Sequence, residues 1–123
     1  MKKKIWLWSP LIVCLVVILY ISSIQIPGIP GLPGADISFI HLPLYFILSA
    51  LFLRIFIEKR RSFISAILCS TMYGILIEIF QLFLPWRSFS FYDIILNFIG
   101  SCFVYIFISI NLRKILLIPR IKS

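Results

Sequence analysis

Along the chain, apolar residues fall into four long blocks separated by short polar or proline-rich breaks. The blocks run from Ile5 to Ile26, Ile37 to Ile57, Phe63 to Pro85 and Ile94 to Leu112. Each is close to the roughly 20 residues that carry a helix, rising about 1.5 Å per residue, across a hydrocarbon layer about 30 Å thick. In lipid the backbone must satisfy its own hydrogen bonds, so spans are helices or a closed barrel. Barrel strands alternate apolar and polar positions over about 10 residues, and that alternation is absent. The pattern predicts an all-α, polytopic membrane protein, a four-transmembrane-helix bundle making one membrane domain over residues 1–123.

Composition strengthens this reading. With 62% hydrophobic residues, 13% charged residues and a mean hydropathy of +1.12, the chain is far from a soluble domain, which holds about 45–50% apolar and about 25% charged residues. The net charge of +8 raises nucleic acid as a partner, but the distribution argues against it. Lys2, Lys3 and Lys4 precede the first block. Arg54, Lys59, Arg60 and Arg61 lie at or after the end of the second, and Arg113, Lys114, Arg120 and Lys122 follow the fourth. The two remaining connections hold one basic residue between them, Arg87. This is the positive-inside pattern, so the expected place is the cell membrane, multi-pass, with both termini and the middle loop cytoplasmic. No soluble basic surface remains to bind nucleic acid; membrane lipids are the expected partners, and a homo-oligomer is compatible with the sequence.

The first block is too long, and its exit "ISSIQIPG" too poor a cleavage site, for a signal peptide, so an uncleaved helix is expected. Cys14, Cys69 and Cys102 all fall within spans and form no disulfide or zinc pattern. "IPGIPGLPGAD" reads as an extended connection on the outer surface. "EKRRS" makes the second and third spans a tight hairpin, and the aromatic "PWRSFSFYD" lies in the headgroup region.

Polar residues inside the spans carry the candidate chemistry. Gly74, Glu78, Gln81 and Pro85 recur at helical spacing and share a face, as do Asp93, Asn97 and Gly100, and His41 with Tyr45. Glu78 lies about two turns, on the order of 10 Å, from the outer end of its span, and the others sit at similar depth. These seams are expected to face one another around a polar pocket open to the outer surface, with Arg87 at its mouth. Tyr45, Glu78, Gln81, Arg87, Asp93 and Asn97 are the candidate ligand-binding residues, and Glu78 and His41 the candidate proton-transfer groups. Gly74 and Gly100 are expected to let helices approach closely, the third span against the fourth. Glu78 is expected within hydrogen-bond reach, directly or through water, of at least one of His41, Gln81, Asp93, Asn97 or Arg87, since a lone carboxylate in hydrocarbon costs at least about 2.5–3.5 kcal/mol. The plainer reading makes all of them fasteners between helices. A single histidine with no close ligand pair argues against a metal, and no cofactor is expected.

Tyr73-Gly74, Glu78, Gln81, Pro85, Arg87, Asp93, Asn97 and Gly100 together read Y-G-x3-E-x2-Q-x3-P-x-R-x5-D-x3-N-x2-G. This resembles the signature of the VanZ-like family, small multi-span membrane proteins named for a member associated with teicoplanin resistance. The family's earlier histidine, followed four residues later by an aromatic, is matched by His41 and Tyr45. Ser38 stands at the usual lysine position, Asp36 is displaced by one residue, and Trp86 replaces the glycine of Pro-Gly-Arg. The resemblance implies a membrane bundle and an envelope role that extends to glycopeptide (teicoplanin) susceptibility. Three functions stay open. The pocket binds an envelope lipid or lipid-linked precursor; Glu78 acts as general acid or base on such a substrate; or the protein is a structural membrane partner.

Overall fold

The computed structural model describes residues 2–25, 37–57 and 60–117. Four α-helices follow in order: α1 over Lys2–Ser23, α2 over His41–Phe56, α3 over Ser62–Gln81 and α4 over Phe91–Leu117. A short 3₁₀ turn, Ile37–Ile40, leads into α2, and the described residues contain no strand. Each helix is long and apolar enough to cross a membrane, over Ile5–Ser23, Ser38–Phe56, Ser62–Gln81 and Phe91–Asn111. The protein is therefore a multi-pass, all-helical membrane protein. The expected extended connection over 27–36, with Asp36, lies outside the described residues, as does Lys59 in the hairpin between α2 and α3.

Large apolar side chains face outward. On α3, Ile64, Leu68, Met72, Leu76 and Ile79 are exposed, whereas the buried face is Ser62, Ala66, Ser70, Gly74, Ile77, Glu78 and Gln81. This inverts a soluble helix. Lipid tails are as apolar as leucine, so burying leucine gains little, and close contact of small residues holds the helices instead. α2 is central and packs against the other three. α3 packs against α4 as expected, and Gly100 of α4 is in close helix contact with α2, where a Cβ would come within 2.5 Å of the Leu42 carbonyl oxygen. Gly74 makes room for Asn97 of α4 and Tyr45 of α2 together; a Cβ would stand 2.6 Å from Asn97 Nδ2 and 3.0 Å from Tyr45 Cε1.

Two boundaries differ from the apolar pattern. α3 ends at Gln81 although Leu82, Phe83 and Leu84 continue the apolar run. Their amides turn to carbonyls three residues back, Ile79, Phe80 and Gln81. Pro85 then offers no amide and disfavours helical geometry at Leu84. α4 starts at Phe91, before the apolar block, because Ser90 caps it: the Asp93 amide donates to Ser90 Oγ at 3.2 Å. Asp93 thus belongs to the first turn of the helix.

Candidate functional site

α1 and α3 finish, and α2 and α4 begin, at one end of the bundle, which gathers polar side chains from every helix. His41, at the start of α2, donates from Nδ1 to Asn97 Oδ1 at 2.7 Å, tying α2 to α4. Its ring lies nearly parallel to that of Tyr45 one turn on, with centroids 6.0 Å apart. Tyr45 and Asn97 are fully buried. Below them Ser70 donates to Ser101 Oγ at 2.6 Å, and Ser101 donates to the Asn97 carbonyl at 2.8 Å. That pair joins α3 to α4.

Glu78 is completely buried. Its hydrogen bond comes from none of the side chains expected to partner it; the Ser90 amide donates to Oε2 at 3.0 Å. The reason is local. Ser90 stands before the first turn of α4, where amides are not yet used by the helix. Asp93 and Arg87 are within electrostatic reach of Glu78 but hydrogen-bond to it in neither case. Ser90 escaped the sequence reading although Ser90-Phe91-Tyr92-Asp93 has the spacing of a capping box.

Gln81 and Arg87 face α1. The last carbonyls of a helix lack partners within it. Tyr20 is satisfied by the Ile24 amide at 3.2 Å, and three side chains take the next three. Arg87 Nη2 reaches the Ile21 carbonyl at 3.4 Å, Gln81 Nε2 that of Ser22 at 3.1 Å and Trp86 Nε1 that of Ser23 at 3.0 Å. A cation beside a helix C-terminus is also favoured by the helix dipole. Tyr73 donates its hydroxyl to the Leu15 carbonyl at 2.6 Å. No residue of α1 was anticipated in the cluster. Backbone acceptors leave no mark in the sequence.

α1 packs over the inner part of this cluster, where Tyr45, Glu78 and Asn97 are buried, while His41, Arg87 and Asp93 are half-buried at its edge. The space beside His41 and Tyr45, walled by Ile18, Ser22 and Arg87, holds about 10 Å³, the lower limit for one water. Several buried polar atoms have no partner among the described residues: Glu78 Oε1, Asp93 Oδ1, Asn97 Nδ2 and Tyr45 OH, with Ser49 Oγ and Thr71 Oγ1. Among the described residues no three His, Cys, Asp or Glu side chains are grouped as metal ligands would be.

Residues 37–113 match the family model described as VanZ/LLP1. No curated protein and no solved structure matches the chain.

Proposed function

The chain belongs to the VanZ/LLP1 family, and from that premise we propose that it binds the polar part of a cell-envelope lipid or lipid-linked precursor around Glu78. In this reading the polar end of the bundle faces outward, both termini are cytoplasmic, and binding alters glycopeptide susceptibility through the lipid it engages. The observation that carries it is the free oxygen of Glu78. A buried polar atom left without a partner costs roughly 1–3 kcal/mol, and Asn97 Nδ2, Tyr45 OH and Asp93 Oδ1 share that condition. Fasteners alone would be satisfied by one another. Donors and acceptors both wait here, which suits a headgroup that carries both.

Entry follows from how α1 is held. Its end is retained by Gln81, Trp86 and Arg87 through hydrogen bonds worth about 0.5–1.5 kcal/mol each, a restraint that a ligand can displace. Once released from Ile21, Arg87 can make charge-assisted bonds to an anionic group. The test is the lipid that purifies with the protein. Wild-type protein should carry one headgroup class enriched over the bulk membrane, and Glu78→Gln at equal abundance should not. Equal lipid profiles in the two proteins would refute the reading, and a new product on incubation with envelope lipids would show turnover.

A further inference from the structure

The unpartnered atoms at the polar end are of unequal kinds. Glu78 Oε1 and Asp93 Oδ1 accept hydrogen bonds when ionised, Tyr45 OH accepts or donates, and Asn97 Nδ2 only donates. They are neighbours. Tyr45 is within electrostatic reach of both Glu78 and Asp93, and Glu78 is within reach of Asp93 and Arg87. The Tyr45 ring and the Asn97 amide meet at Gly74, one turn before Glu78 on α3. Charge is unequal too. Two carboxyl groups share this end with one guanidinium, and Arg87 turns its Nη2 toward the Ile21 carbonyl at 3.4 Å. His41 is turned to Asn97. Arg54 lies in the last turn of α2 and Arg61 just before α3, both at the other end of the bundle. Among the described residues, the cluster thus holds more acceptors and more negative charge than its own side chains answer.

Given the headgroup reading of the Glu78 end, on which this rests, we infer that the bound polar part carries a primary ammonium next to a phosphodiester, as an ethanolamine phospholipid does. An ammonium presents three N–H donors and no acceptor. Glu78 Oε1, Asp93 Oδ1 and the Tyr45 oxygen are acceptors for them. A carboxylate without a counter-charge in hydrocarbon is costly. A cation beside it offsets that cost and makes hydrogen bonds stronger than neutral ones. What the ammonium leaves unanswered, Asn97 Nδ2 and the Arg87 guanidinium, calls for an acceptor, and the phosphate supplies it. The cluster is polarised in the same sense. Glu78 is fixed toward the start of α4 by the Ser90 amide at 3.0 Å, and Arg87 toward the end of α1. Other headgroups fit less well. Glycerol phosphate would add a negative charge to two carboxyl groups and bring no cation. A trimethylammonium carries the charge but no N–H, so the carboxylate oxygens would stay without donors.

The test uses the full chain in vesicles holding equal amounts of five phospholipids with the same acyl chains. They are phosphatidylethanolamine, its N-monomethyl and N,N-dimethyl derivatives, phosphatidylcholine and phosphatidylglycerol. The protein is extracted in mild detergent, and the lipid it retains is measured by mass spectrometry. Along the first four, the nitrogen keeps its charge while its N–H donors fall from three to none. Retention should fall in that order. Phosphatidylethanolamine should be enriched several-fold over phosphatidylcholine, with phosphatidylglycerol no higher than its share of the vesicle. Asp93→Asn keeps the size of the side chain and should bring phosphatidylethanolamine down to the phosphatidylcholine level, with a thermal midpoint close to wild type. Equal retention of phosphatidylethanolamine and phosphatidylcholine overturns the ammonium seat and leaves a headgroup site standing. So does enrichment of phosphatidylglycerol, or an Asp93→Asn protein that keeps the full preference. No enrichment of any lipid in the wild-type protein removes the headgroup reading and the ammonium seat with it.

Discussion

The two ends of the bundle are built on different principles. At one end His41, Ser90 and Asn97 join helices through hydrogen bonds, while Glu78, Asp93, Asn97 and Tyr45 retain unused polar atoms. At the other, Leu53, Ala66 and Val104 close the core under Phe46, Phe52, Phe56 and Phe63, with no such atoms among them. Phe63 meets Tyr105 edge-on at 5.3 Å, and Phe52 stacks on Phe56 at 6.0 Å. Packing accepts many solutions of similar volume. A buried polar group accepts only a correct partner, so the polar end holds the information and the apolar end holds the fold.

The sharpest way to break this contrast is to exchange the effects of a mutation at each end. Glu78→Gln keeps size and the bond from Ser90 but cannot change charge; it should abolish the envelope phenotype, such as survival under teicoplanin, at unchanged membrane abundance. Leu53→Ala should lose packing contacts and leave a void, for a cost of up to about 3 kcal/mol of stability, yet leave the folded fraction functional. Thermal unfolding in detergent and the phenotype, measured on both, decide the matter; wild-type activity in Glu78→Gln would return that residue to a fastener.

Gly100→Ala comes next. Its new methyl meets backbone, which cannot rotate away, so a loss of about 1–3 kcal/mol is expected. Gly74→Ala meets the end of the Asn97 side chain. It should cost less stability than Gly100→Ala and more function, because Asn97 must leave His41. The two midpoints and the phenotype check that order.

Smaller still is Ser90→Ala, which removes the cap of α4 for about 1 kcal/mol while the Ser90 amide still reaches Glu78. Arg87→Lys should have the least effect on stability. Lysine keeps the charge near the end of α1 but lacks the planar fork, so a marked reduction in the phenotype with near-normal expression is expected. An Arg87→Lys protein that unfolds more readily than Gly100→Ala would reverse the ranking.

The four helices were legible because lipid demands length and apolarity, and the apolar blocks supply both. The shared depth and spacing of His41, Tyr45, Glu78, Asp93 and Asn97 were legible for the same reason that helices repeat. What escaped is instructive. Leu82–Leu84 look like helix, and only backbone turning toward residues 79–81, followed by Pro85, ends α3 there. Ser70 and Ser101 pass for small packing residues until α3 and α4 bring their hydroxyls together. Gln81 and Arg87 hold carbonyls of a helix far away in sequence, partners that their spacing does not announce. Spacing within a helix reveals its face, not the atom opposite it.

α1 is recognised through its backbone. Among the described residues, the side-chain hydrogen bonds that reach it from the rest of the chain end on carbonyls of Leu15, Ile21, Ser22 and Ser23, and its buried packing residues are Leu11, Ile18 and Ser22. The matched family region begins at residue 37 and leaves this helix out. The rest of the protein therefore reads α1 as a shape with an end rather than as a text. Substitutions on α1 should therefore be tolerated, provided that a few packing positions hold and the chain stops being helical at the level of Gln81.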